Sequence, residues 1–129
     1  MNVRMRVATI IGIIGMAVGG LTVAAAEGKD PLEVAPAVYT KKFENERVRV
    51  LEGHFKAGDS IAMHSHPDHF AYILGPGTLR LTYPDGRTQD VTAKAGEVIW
   101  IPAESHASQN VGQTEVHLLV IELKDTPKA

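Results

Sequence analysis

The chain has 129 residues, of which 44% are hydrophobic and 22% charged, and its formal net charge is −2. These values are typical of one soluble globular domain, and the scattered basic residues exclude the basic face that nucleic-acid binding requires. The absence of cysteine excludes disulfides and cysteine-ligated metal sites, so any metal must be held by nitrogen and oxygen ligands.

Residues 1–26 are predicted to form a secretory signal peptide. Arg4 and Arg6 precede an apolar run over 7–18, and Ala24 and Ala26 are the small residues expected before a cleavage site. A retained membrane anchor is the alternative, but the run is shorter than the roughly 20 residues of a membrane span. No cysteine follows it, which excludes a lipoprotein anchor. We therefore expect a periplasmic or secreted mature protein without membrane contact.

Residues 27–36 are polar, contain two prolines and are predicted to be a flexible leader. Beyond them, short runs rich in Val, Ile, Leu, Thr and Tyr alternate with turn signals, without a sustained helical period. The predicted strands cover 37–43, 47–56, 60–66, 70–74, 78–83, 88–93, 97–101, 106–111 and 115–124. This spacing indicates one all-β sandwich or barrel domain over 37–125.

Three of the six histidines, His64, His66 and His69, lie within six positions of each other. On a strand, His64 and His66 leave the same face because side chains alternate. Pro67 and Asp68 are typical of a turn, which can swing His69 back toward the other two. Three converging imidazoles form a good ligand set for a divalent transition metal.

Two groups of residues resemble the two motifs of the cupin family: Gly58, His64 and His66 for the first, and Gly96, Pro102, His106 and Asn110 for the second. The resemblance implies a double-stranded β-helix, the cupin jelly-roll barrel, with His106 as a fourth ligand and Asn110 in structural hydrogen bonds. Because related cupins often pair through edge strands, it also implies a homodimer formed through 41–50 or 115–124.

The sequence departs from the family in both motifs. The glutamate ligand of the first is missing, and a turn shortened by one residue brings His69 to the ligand position. The resemblance thus implies an all-histidine site of His64, His66, His69 and His106 for Fe, Mn, Ni, Cu or Zn. In the second motif Glu104 replaces a glycine. We interpret it as a general base, a carboxylate that orients a histidine, or a solvent-facing turn residue.

Four imidazole ligands would leave open positions for dioxygen or a bidentate oxygen substrate, and their neutrality favours an anionic enolate or catecholate. We therefore predict a dioxygenase-like metalloenzyme for a small enol or phenolic compound, with Glu104 and Tyr72 as catalytic candidates. The alternatives are a non-catalytic metal- or ligand-binding module and a cupin isomerase or lyase. His54 and His117 match no motif and are interpreted as ordinary strand residues.

Overall fold

The computed structural model describes residues 5–7 and 28–125, where regular structure is almost entirely β-strand. The strands in these ranges are β1 Met5–Val7, β2 Tyr39–Glu44, β3 Val48–Phe55, β4 Ser60–His66, β5 His69–Gly75, β6 Gly77–Thr82, β7 Thr88–Ala93, β8 Val98–Ile101, β9 Glu104–Asn110 and β10 Val116–Leu123. A single helical turn, α1 Pro31–Val34, precedes β2. Every strand predicted from residue 37 onward is found, with its ends displaced by at most two residues.

The strands form two sheets that face each other across the core. One has the order β1-β8-β5-β10-β3-β2 and the other the order β4-β9-β6-β7. Apart from the parallel pairing of β1 with β8, neighbouring strands are antiparallel. This arrangement confirms the predicted all-β jelly roll. The rest of the predicted signal peptide, residues 1–4 and 8–26, lies outside the described residues.

The segment predicted as a flexible leader instead packs against the barrel from residue 28 onward. Asp30 caps α1, since its side chain accepts the N–H of Leu32 at 2.8 Å. Pro31 occupies the first helical position, where its missing N–H costs nothing, and its ring is buried. Pro31 thus starts the helix and packs it against the barrel. No helix in the described ranges is long and apolar enough to cross a membrane.

Gly58 and Gly96, which open the two motif-like segments, adopt φ values of 84° and 85°. Residues with a Cβ rarely adopt this left-handed conformation. Both glycines lie in turns that immediately precede strands, so they set the entry of the chain into β4 and β8.

A β-bulge in β4 determines which side chains point into the barrel. Ile61 pairs with Ser108 and His64 pairs with His106, so three steps along β4 face two steps along β9. The extra residue reverses the alternation, and Ile61, His64 and His66 are all buried. Strict alternation from Ile61 would have turned both histidines outward.

The side chain of Asn110 joins three backbone segments at the end of β9. Its Nδ2 donates to the carbonyls of Phe55, at 2.9 Å, and Thr114, at 2.8 Å. Its Oδ1 accepts the N–H of Gly112 at 2.9 Å, and the residue is only 1% exposed. The structural role expected for Asn110 is confirmed.

We predict that Asn110→Ala lowers the free energy of unfolding by about 2–4 kcal/mol, because it removes three hydrogen bonds of a buried amide, one of them to the buried Phe55. Urea unfolding measures the loss. Gln109→Ala, which removes the exposed neighbour on the same strand, is the control and should change the midpoint little. Equal effects of the two substitutions would contradict this role of Asn110.

Candidate metal centre

Four buried histidines meet between the sheets: His64 and His66 from β4, His69 from the start of β5 and His106 from β9. None is more than 4% exposed. The ligating atoms of His64, His66 and His106 all lie within 4.8 Å of one another, so these three residues could hold a metal ion. His69 stands beside this trio, with its ring centroid 4.6 Å from that of His66. The fold thus brings His64, His66 and His106 together as possible ligands, with the ring of His69 next to that of His66.

Backbone carbonyls orient two of the rings. The Nδ1 of His64 lies 2.8 Å from the carbonyl of Ala62, in the bulge, and the Nδ1 of His69 lies 2.7 Å from the carbonyl of Pro67, in the turn. Because a carbonyl only accepts, Nδ1 must carry the proton in both rings. Each Nε2 therefore keeps the lone pair that a metal ligand needs.

Carboxylates orient the other two rings. His66 Nδ1 donates to Glu122 Oε2 at 2.8 Å, and His106 Nδ1 donates to Glu104 Oε2 at 2.7 Å. Carboxylates that hold the outer nitrogen of a metal-bound histidine fix its tautomer and raise its basicity. Of the three interpretations of Glu104, this contact agrees with the carboxylate that orients a histidine.

The Nε2 of His64 is the clearest sign of a missing ligand. It is buried and has no hydrogen-bond partner among the residues that the structure describes. A buried polar atom left unpaired costs free energy and calls for an explanation. A nitrogen lone pair among other imidazole nitrogens fits a transition metal of the Fe, Mn, Ni, Cu or Zn group, with three to four nitrogen ligands from this chain.

The rings of His64, His66 and His69 are neutral at physiological pH. Burial lowers the pKa of His64 and of His69 to about 4, although the hydrogen bonds to their backbone acceptors act to raise it. Burial also lowers the pKa of His66 well below its usual value, and repulsion from the neighbouring imidazoles adds to the effect. The lone pairs are therefore available without first removing a proton.

An ion-pair chain that the sequence analysis missed supports His66 from behind. Glu122 is 2% exposed, and its Oε1 accepts from Arg49 Nε at 2.7 Å. The Nη1 of Arg49 in turn donates to Asp30 Oδ2 at 2.7 Å. Burial raises the pKa of Glu122, while the Arg49 guanidinium opposes that shift. The signal available in the sequence was alternation: Glu122 ends an inward stripe on β10 that is otherwise apolar.

The two tyrosines near the histidines in sequence or space have different placements. Tyr39 is buried with its ring 6.3 Å from each of the His64 and His66 rings, and burial raises its pKa far enough to keep the phenol neutral. Tyr72 lies on β5, and its side chain is on the opposite face of the sheet from that of buried His69. The structure thus corrects the catalytic assignment of Tyr72, because alternation along β5 turns its side chain away from the histidines.

An apolar cavity of about 60 Å³ lies in the barrel one step along the strands from the histidines. Ala71 follows His69 by two residues on β5, and Ile101 pairs with His69 across β8. The lining consists of aliphatic residues and glycine: Ala71, Ile73, Gly77, Leu79, Leu81, Val91, Ala93, Ile99, Ile101, Val116 and Leu118. The cavity can take a small apolar group placed next to the metal position.

A family model and the similar solved structures point to the same family. A family model for the cupin domain matches residues 46–122. The chain is similar to a cupin domain from Bordetella pertussis, with 29% identity, a TM-score of 0.63 and coverage of 68% of this chain and 93% of that one. It is also similar to the polyketide cyclase RemF from Streptomyces resistomycificus, with 27% identity, a TM-score of 0.52 and coverage of 70% and 66%. None of the curated proteins matches the chain.

We predict that the metal-free protein loses stability as the pH falls from 7 toward 4. The folded pKa of His64 and of His69, about 4, is below the unfolded value, so the unfolded chain binds more protons. Their contribution to the free energy of unfolding is complete above roughly pH 6.5 and is lost as the pH falls through the folded pKa. At pH 5 about 2 kcal/mol per histidine has been lost. Urea unfolding with a chelator present measures this, and His64→Gln should flatten the pH dependence. An unaltered slope in that variant would contradict the assignment.

We predict that Glu122→Gln weakens metal binding by about 10- to 100-fold, because His66 loses the carboxylate that orients it. Competition against a chromogenic chelator measures the affinity. Glu44→Gln is the matched control, since Glu44 is an exposed carboxylate that also pairs with lysines. Equal affinities in the two variants would exclude a role for Glu122 at the metal.

Proposed function

This protein belongs to the cupin family, and we propose that it is a metal-dependent, dioxygenase-like enzyme for a small enol or phenolic compound. The fold alone does not fix a reaction, so the proposal depends on the site. The observation that carries it is the arrangement of the four buried histidines, each with Nδ1 held by an acceptor and Nε2 left as a ligand.

In this proposal His64, His66 and His106 hold the metal, with His69 as the fourth ligand. Bound there, a redox-active metal would supply dioxygen activation and Lewis acidity, with one or two coordination positions left open. The residues of the chain contribute rigidity. The carboxylates of Glu122 and Glu104 and two backbone carbonyls fix the ring orientations before substrate arrives.

The charge of the site favours an anionic substrate. Imidazole binds a metal in its neutral form, so histidine ligands do not cancel the charge of a divalent cation. Glu122 is already neutralised by its ion pair with Arg49. The Glu104 carboxylate beside His106 adds a negative charge to the edge of the site. An enolate or catecholate oxygen would therefore be attracted to the metal position.

The apolar cavity supports a small substrate. Ligand pockets for drug-sized molecules usually have volumes of roughly 300–1,000 Å³. A cavity of about 60 Å³ has room for an alkyl group or one edge of a ring. The substrate would place its oxygen atoms at the histidines and its apolar part among aliphatic residues such as Ala71 and Ile101. The buried phenol of Tyr39 lies on the side of His64 and His66.

A non-redox isomerase or lyase is the second candidate, and one observation favours it. The similar protein RemF is a polyketide cyclase, which indicates that a chain of this kind can support catalysis. A binding module without catalysis is the third candidate, and the small cavity is compatible with it. We also propose that the protein works in the periplasm or outside the cell, on the basis of the predicted signal peptide.

We predict that His64→Ala and His106→Ala each abolish the metal that co-purifies with the protein, because each removes a ligand from the trio. Elemental analysis after gel filtration measures metal per chain, and circular dichroism verifies the fold. Gln109→Ala serves as the control with full occupancy. His69→Ala should weaken binding if His69 is the fourth ligand. Full occupancy in both the His64 and His106 variants would overturn the site.

Oxygen uptake with enediols, diketones and catechols tests the reaction on the metal-loaded protein. The proposal expects uptake that requires the redox-active metal and disappears in His106→Ala. Conversion of the same compounds without oxygen uptake would favour the isomerase or lyase. A redox-inert native metal with neither uptake nor conversion would favour the binding module.

A further inference from the structure

The outer face of the six-stranded sheet carries a second cluster of ligating side chains. Glu52 and His54 are alternate residues of β3, and His117 pairs directly with His54 across the ladder to β10. Their strand neighbours Phe55 and Val116 are buried in the core. Because side chains alternate along a strand, this cluster lies on the opposite face from the histidines of the barrel.

The donor atoms of the cluster lie close together. The Nε2 of His117 lies 3.0 Å from Glu52 Oε2, and the Nε2 of His54 lies 3.7 Å from Glu52 Oε1. All three ligating groups are within 4.8 Å of one another. The two imidazoles stack with their centroids 4.0 Å apart and 16° between their planes. Ligands held about 2.0–2.2 Å from one zinc ion are separated by similar distances.

A second carboxylate prepares His54 for ligation. The Nδ1 of His54 lies 2.7 Å from Glu115 Oε1, so this ring donates outward and keeps Nε2 for a metal. Metal-ligating histidines commonly have such a partner. Without metal, the hydrogen bond from His117 Nε2 lowers the pKa of Glu52 and keeps its carboxylate ionised. A metal ion would take the place of that Nε2 proton, which is released on binding.

The cluster is accessible to a metal ion from solvent. The side chains of His54 and His117 are 48% and 30% exposed. Beyond His117 the next strand contributes Gly75, which has no side chain to cover the ring. One competing cation is present, since Lys42 Nζ lies 3.7 Å from Glu52 Oε1, but that lysine side chain is 53% exposed and free to turn into water.

From this geometry we propose that Glu52, His54 and His117 form a surface site for a zinc-class divalent cation, with Glu115 positioning His54. Two imidazoles and one carboxylate are the ligand set of open zinc sites, which keep a position for water or another ligand. The antiparallel pair β3–β10 holds two of the ligands opposite each other, so little conformational entropy is lost on binding. The proposal is independent of the function assigned to the barrel.

Zinc titration of the full chain by isothermal calorimetry tests the site. We expect His54→Gln and His117→Gln each to bind one zinc equivalent fewer than the wild type. Glu115→Gln should weaken the same equivalent by about 10- to 100-fold. Lys42→Ala should tighten it several-fold, because the cation that competes for Glu52 is gone. Asp90→Asn is the matched control: it removes an exposed carboxylate from the cross-strand pair with Arg80, and binding should not change.

Two results would overturn the proposal. One is the same number of zinc equivalents in the wild type, His54→Gln and His117→Gln. The other is an unchanged zinc affinity in Glu52→Gln, which would exclude Glu52 as a ligand. Imidazole ¹⁵N resonances locate the ion independently, because zinc should shift His54 and His117 in the His64→Ala variant as well. Their response there separates this site from the barrel site, whatever the outcome for catalysis.

Discussion

The hydrogen bond between Glu122 and His66 is the contact on which the histidine cluster depends. A buried carboxylate is costly unless it is fully paired. Glu122 meets that condition by dividing its two oxygens between Arg49 and His66. Since Arg49 also reaches Asp30, the cap of α1, one chain of contacts joins the N-terminal helix, both sheets and a metal-ligand candidate. Removing Arg49 would leave the buried carboxylate of Glu122 without a cationic partner, so the chain links fold stability to site geometry.

Much of this molecule could be predicted from local sequence signals. The strands follow from short β-branched and aromatic runs between turn residues, because period-two alternation and turn chemistry are both local. The spacing of His64, His66 and His106 identified the trio, since a family motif already encodes the pairing of β4 with β9. The motif glycines likewise marked positions that need a left-handed backbone.

The features that could not be predicted from the sequence depend on tertiary contacts. Arg49 and Glu122 are 73 residues apart and meet only because β3 pairs with β10. The leader was predicted to be flexible because it is polar and contains two prolines, but one of them, Pro31, starts a helix and is buried. Tyr72 was predicted to be catalytic because of its hydroxyl group. The face of the sheet on which its side chain lies is set by the alternation along β5. Proximity in sequence did not determine proximity in the fold.

Strands β3 and β10 have a distinct role on each face. Inward, they contribute Arg49 and Glu122 to the support of the histidine cluster. Outward, the same pairing aligns His54 with His117. One register therefore serves two sets of polar contacts, and a slip of one residue would disrupt both.

Because of the bulge in β4, the number of residues between Ile61 and His64 determines whether the histidines point into the barrel. One residue more or fewer between Ile61 and His64 would exchange the two faces of everything that follows in the strand. Both imidazoles would then point to solvent while composition, charge and hydrophobicity stayed nearly constant. Chains of this type are therefore far more sensitive to insertions and deletions in this stretch than to most substitutions. An alignment gap placed there would mark a relative whose metal chemistry has changed even where both histidines are still present.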